Sequence, residues 1–347
     1  MADLTRNNQM NETTTGQPIN YEMPPDVART NAFMSILISY GIISNVLMVI
    51  AILRSKEMRH QTSYWFIISL AICDVITIGM SLTRIAFWYF FPVQYNNLVA
   101  SPYNYLVFAF YDIWWYSYVV QLGIMSINRF VAIMLPIHFK HIFTKSRTAL
   151  IILLCYFLGF LIALPTYFDC CRTLMLPGKL GNFYEDPETW HQDLDLVLNI
   201  IIQILMVVSY TVIIWKVWRN EKIMASYKGK AETMAFSERA PDQYKISKKE
   251  LRILGQFLAA YFGFVFTWLC FLIVPQITYE RWGGTLMAAS NYINVSMSPT
   301  IAFLFNSSVR NELRKMLCPT IRRNKRDSEG EKNSTSMATV THAKTTL

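Results

Sequence analysis

"NAFMSILISYGIISNVLMVIAIL", Asn31–Leu53, decides the fold. It contains no Asp, Glu, Lys or Arg. Coiled as a helix at ~1.5 Å per residue it crosses the ~30 Å hydrocarbon layer of a bilayer. Six more near-uncharged runs follow: Ser63–Thr83, Tyr105–Ile127, Thr148–Phe168, Leu196–Trp215, Ile253–Tyr279 and Trp282–Val309. Lipid offers the backbone no hydrogen-bond partner, so only helices and closed barrels span it. Barrel strands need only about 10 alternating residues, and these runs are longer and unbroken. The fold class is therefore an all-α membrane protein, a seven-transmembrane helix bundle.

Charge gives the orientation. Only 16% of the 347 residues are charged, against roughly 25% in soluble domains. With the N-terminus outside, 26 Lys and Arg fall in cytosolic segments and 5 in outer ones. That bias places the N-terminus outside and the C-terminus in the cytosol of a multi-pass plasma-membrane protein. The net charge of +9 is mostly this topology signal, and it predicts no nucleic-acid partner. The polar start and the long first run argue against a signal peptide. Asn11 opens a glycosylation sequon on the outer side; Asn294 and Asn333 open sequons in the membrane and the cytosol, where none should be used.

The organisation expected is an extracellular tail over 1–30, a bundle over 31–309, a short helix over 310–318 and a disordered tail over 319–347. Val309, Leu313, Met316 and Leu317 form an apolar stripe, with Arg310, Arg314 and Lys315 off it or at its edge, which predicts a short amphipathic helix on the inner membrane surface. Cys318 closes it and is a palmitoylation candidate. The third cytosolic loop, Arg219–Glu250, is rich in Lys, Glu and Ser. No internal repeat is visible, which weakens a transporter reading.

Ionisable groups in lipid are costly and pair or line cavities. Asp74, Arg84 and Asp112 are the clear cases. Arg84 and Asp112 reach similar outer depths on sequential helices, so they should pair or face one outer cavity. Aromatic residues crowd that level. Trp88–Phe91 read as an interface belt, whereas Tyr111 and Trp115, four apart, share a helical face and can line a cavity for a small organic ligand. His138 and His141 have no third ligand or catalytic neighbour, so neither a metal site nor an enzyme is expected.

Several motifs then fall in order. "YGIISNVLMV" carries Gly41 and Asn45; "LAICD" ends at Asp74; "NRF" holds Asn128 and Arg129; "FVFTW" holds Phe264 and Trp268; "SPTIA" keeps Pro299; "NSSVRNELRKMLC" ends at Cys318. Together they resemble the rhodopsin-like G-protein-coupled receptors across all seven helices. The "INRFVAIMLPIHFKHIF" block and the "DPETW" outer loop resemble nematode serpentine chemoreceptors of the class X type.

The resemblance implies a chemosensory receptor for a small molecule, with a peptide as the alternative ligand, that activates a heterotrimeric G protein from the plasma membrane, including that of sensory cilia. It assigns ligand contact to Arg84, Tyr111, Asp112, Trp115, Trp268 and Tyr292. It assigns the switch to Arg129, Glu250, Tyr210, Phe264, Trp268 and Pro299, the polar core to Asn45, Asp74, Asn294 and Ser298, and G-protein contact to Asn128, Arg129 and Pro136. In that family the arginine pairs with acids at rest. The usual preceding acid is Asn128 here, so the implied partner is Glu250, 18 residues before Trp268. A sodium ion beside Asp74 is implied, though Tyr118 stands where a small serine is usual. Cys270 replaces the sixth-helix proline, Ala302 the seventh-helix tyrosine, and Asn104 the third-helix cysteine, so the family's outer disulfide cannot form. Cys170 and Cys171 are adjacent, and a bond between them is strained. A transporter or channel, or a non-coupling partner of another receptor, is the alternative. A retinal photoreceptor is disfavoured, because Tyr292 stands where the seventh helix would need a lysine.

Overall fold

A computed structural model describes residues 25–101, 104–175, 182–186, 188–233, 248–277 and 281–317. Asn11, Cys318 and Asn333 lie outside them. Each of the seven expected spans falls mostly within a helix: α1 Pro25–Arg54, α2 Thr62–Phe90, α3 Asn104–Met134, α4 Lys145–Ala163, α5 Trp190–Thr233, α6 Lys248–Ile277 and α7 Arg281–Phe305. Six of these are both long and apolar enough to cross a membrane. At 25 residues α7 has the length, but Ser290, Asn291, Asn294, Ser296, Ser298 and Thr300 make it more polar. An amphipathic helix α8, Ser307–Leu317, follows.

Large apolar side chains face outward, as lipid permits. On α4, Leu150, Leu153, Leu154, Phe157 and Leu158 are exposed, while Thr148, Cys155, Gly159 and Ala163 are buried. These small residues recur along one face and let α4 approach α3 closely. A Cβ on Gly159 would collide with Ser117 Oγ and lie 2.7 Å from Ser117 Cα.

The cytosolic half of the bundle holds the largest apolar cluster, including Met48, Phe66, Leu122, Ile213, Phe257 and Phe264. A second cluster joins α1, α2 and α7 through Met34, Ile38, Ile78, Ile85, Tyr292 and Val295. Pro299 lies inside α7. Proline has no N–H, so it leaves the carbonyl four residues earlier, that of Val295, without its helical donor. Asn45 Nδ2 donates to that carbonyl at 3.2 Å and to Gly41 O at 2.9 Å. One asparagine thus ties α1 to the point where α7 is weakened.

Two boundaries differ from the sequence expectation. The third loop was expected from Arg219, yet α5 runs on to Thr233 and reaches 44 residues. The reason is that Lys, Glu, Ala and Met extend a helix readily, and an existing helix needs no new nucleus. The short helix begins at Ser307 because Asn306 caps it: Asn306 Oδ1 accepts from Ser308 N at 3.1 Å and Val309 N at 3.4 Å. Asn306 Nδ2 also donates to Tyr64 OH at 3.2 Å, which fixes α8 against α2. The α6 helix runs over 248–277 and carries Pro275 near its outer end.

Candidate functional site

At the outer end, α3 presents Tyr111 toward α7. Asn291 Nδ2 donates to Tyr111 OH at 3.4 Å, and buried Tyr292 adjoins it. Asp112, 6% exposed, turns the other way. Thr173 Oγ1 donates to Asp112 Oδ2 at 3.3 Å, and Asp195 of α5 lies close enough to act on its charge. Arg84 does not form the ion pair with Asp112 that their depths suggested. Its guanidinium carbon sits 5.9 Å from the Phe108 ring centroid, one helical turn further out on α3. Asp112 is instead engaged by the second outer loop through Thr173.

That loop is a hairpin, β1 Thr173–Met175 with antiparallel β2 Asn182–Tyr184. The free cysteines include Cys170 and Cys171, so polar and ring contacts tether it instead. Arg172 lies 4.3 Å from the Tyr105 ring centroid and pairs with Asp169. Thr189 Oγ1 donates to Cys170 O at 2.7 Å. Fully buried His191 lies 3.1 Å through Nδ1 from Tyr184 OH and 2.9 Å through Nε2 from Ile162 O. Burial raises the Tyr184 phenol and the Cys171 thiol above their usual ranges. The phenol therefore stays neutral, and the thiol stays in its less reactive form. Leaving a buried polar group without its hydrogen-bond partner costs about 1–3 kcal/mol. Thr173→Val should therefore lower the thermal midpoint of the purified protein by several degrees, with a larger fall when Arg172→Ala is added. An unchanged midpoint in the double variant would show that the hairpin does not depend on these contacts.

Trp115 lies one turn below Tyr111. It stacks on Tyr118 at 6.3 Å and meets Phe264 of α6 at 6.3 Å; Tyr118 and Phe264 are also 6.3 Å apart. Trp268 is half-buried one turn above Phe264. Beneath this trio, Asn45, Asp74, Tyr118 and Ser298 line a cavity of about 20 Å³, measured as the space open to the centre of a water molecule. That is room for about one water. The Asn294 amide has no hydrogen bond of ordinary geometry and faces Tyr118.

At the cytosolic end, Arg129 is buried with its guanidinium carbon 4.6 Å from the Phe257 ring centroid on α6. Tyr210 of α5 is also close to Arg129, and its ring lies 5.8 Å from Tyr261. Asn128 Oδ1 accepts from Ser63 Oγ at 3.1 Å. Pro136 starts a short helix, Pro136–Ile142. Lys216 Nζ caps the end of α3, 2.7 Å from Ile133 O and 3.3 Å from Met134 O. Glu250 belongs to α6, but its side chain lies outside the described residues.

Reading the sequence alone missed Thr173, His191, Asp195, Asn291 and Phe257. Only His191 and Asp195 left a signal, as two polar residues four apart at the head of an apolar helix.

The chain matches the seven-transmembrane receptor (rhodopsin family) over residues 44–310. Squid rhodopsin has the same fold, with a TM-score of 0.67 at 16% identity over 87% of this chain and 88% of that one. The adenosine receptor A3 of Canis lupus familiaris is 23% identical over 248 residues, 69% of this chain and 73% of that receptor. The growth hormone secretagogue receptor type 1 of Oryctolagus cuniculus is 27% identical over 144 residues, 41% of this chain. The matched stretch spans only 38% of that receptor's length. The motifs counted along the chain, the bundle they build and a match over most of its residues agree: this chain belongs to the rhodopsin family of seven-transmembrane receptors, a family of receptors rather than enzymes.

Proposed function

We propose that the chain is a G-protein-coupled chemosensory receptor of the plasma membrane, of the serpentine class X type, with its N-terminus outside. A small molecule enters from the outer side, among Arg84, Tyr111, Asp112, Trp115, Trp268 and Tyr292. It favours one of two helix packings, and a cytosolic G protein at Asn128, Arg129 and Pro136 favours the same one, so the two sites are coupled reciprocally. The observation that carries this reading is the ring trio Trp115–Tyr118–Phe264. It joins the outer polar site on α3 to α6, whose cytosolic end contacts Arg129. The relatives' names span secretagogue, adrenergic and adenosine receptors, so they do not choose among ligand classes.

The test is a panel of odorants, polar small molecules and short peptides on cells with measured surface receptor. A responding ligand should lose at least about tenfold in potency on Asp112→Asn, the equivalent of ~1.4 kcal/mol. Equal potency in Asp112→Asn and Tyr292→Ala would place the ligand elsewhere. A sodium ion fits beside Asp74 in its donor chemistry, with Asn45 and Ser298 also lining the cavity. Repeating the panel without sodium tests this, because Asp74→Asn should remove any sodium dependence.

A further inference from the structure

Arg84 lies about 15 Å outward of Asp74 along α2. It is half-buried and turned into the bundle. Its guanidinium carbon sits 5.9 Å from the Phe108 ring centroid on α3, and Tyr95 and Tyr111 are close enough to feel its charge. Turned this way, it does not reach outward to lipid headgroups as a snorkelling arginine does. Among the described residues no acid forms an ion pair with it: Asp169 pairs with Arg172, Glu312 with Lys315, and Asp112 accepts from Thr173. A charge held in a bundle without its opposite is costly, and such groups mark ligand paths.

Two phenols add to this cation. Asn291 Nδ2 donates to Tyr111 OH at 3.4 Å, which leaves the phenol's own proton for another acceptor. Tyr292 adjoins Tyr111, and its hydroxyl makes no hydrogen bond among the described residues. A planar fork of N–H groups and two O–H groups thus meet around Tyr111, with the Phe108 ring as an apolar wall. We propose that this cluster is an anion subsite of the ligand pocket: the ligand carries a carboxylate, held by Arg84 in a bidentate pair and by the Tyr111 and Tyr292 hydroxyls. The inference rests on the receptor reading above and narrows its ligand to an organic acid. The other end of that molecule carries the hydrogen-bond donor that Asp112 accepts.

Benzoate is the probe, with benzamide as its neutral counterpart and acetate as an anion small enough to enter a narrower site. The receptor is purified into nanodiscs of phosphatidylcholine, which keeps anionic lipid out. The readout is the thermal midpoint, which rises with the concentration of anything that binds only the folded state. Millimolar benzoate should raise it and benzamide should not. In Arg84→Gln, roughly tenfold to a hundredfold more benzoate should be needed for the same rise. Tyr292→Phe should need a smaller increase. Arg84→Lys keeps the charge without the fork and should fall between wild type and Arg84→Gln. Without benzoate, Arg84→Gln should match or exceed the wild-type midpoint, because it removes an uncompensated charge. A purely structural arginine predicts a lower midpoint and no benzoate effect.

No rise with either benzoate or acetate, an equal rise with benzamide, or a rise unchanged in Arg84→Gln would overturn the anion subsite. If Arg84→Gln does not accumulate, Arg84→Lys and Tyr292→Phe carry the same test, and an unchanged benzoate rise in both would overturn it. A rise that depends on Arg84, with no ligand of the panel activating a G protein, would support the subsite and count against the coupled-receptor reading. Signalling by a neutral or cationic ligand that survives Arg84→Gln would do the reverse.

Discussion

Replacing Arg129 with alanine abolishes G-protein activation while the receptor still reaches the cell surface. Arg129 is the buried cation of the cytosolic end, and its guanidinium is the group that opening of α6 would expose. On the proposed function, alanine removes the group that would meet the G protein. It also removes the guanidinium that packs against the Phe257 ring. Signalling should fall by well over tenfold at equal surface level, since ~1.4 kcal/mol of lost contact already gives that factor. Retained signalling in Arg129→Ala would remove Arg129 from the coupling surface.

Gly159→Val prevents accumulation of folded receptor. Even a Cβ at 159 falls 2.7 Å from the Cα of Ser117, which is backbone and cannot rotate away. Small-to-large changes in a packed core cost about 1–3 kcal/mol when side chains can adjust. Here two helices must separate, so the cost should exceed that range. Surface level and the yield of detergent-stable protein measure it. The control is Leu153→Ala on the lipid-facing side of α4, which should leave both nearly unchanged. A well-expressed Gly159→Val protein would mean that α3 and α4 are not packed as described.

The seven helices could be read from the sequence because the bilayer imposes a length, and apolar runs of that length have few other meanings. Asn45, Asp74, Asn294 and Ser298 could be named as a polar core because buried polar residues in lipid are rare. The direction each side chain faces could not. Depth along a helix follows from residue number, but azimuth depends on packing, which is why Arg84 and Asp112, expected at one level, have different partners. Asp112 went to Thr173, a residue 61 positions away in an outer loop. The α5 extension was hidden because charged helix formers beyond Arg219 resemble a solvated loop. Phe257 was hidden because one more aromatic in "ILGQFLAAYFGF" has no distinguishing pattern; only its place opposite Arg129 gives it a role. Gly159 carries the same lesson, since its importance lies wholly in Ser117 on another helix.

The central claim is best tested by nucleotide exchange on purified heterotrimeric G proteins, with the wild-type receptor in lipid nanodiscs and Arg129→Ala as control. The account predicts that wild type accelerates exchange on at least one heterotrimer, at rest or with a ligand from the panel, and that Arg129→Ala does not. No acceleration on any heterotrimer by folded receptor, together with ion current or solute flux through the same protein in bilayers, would contradict it.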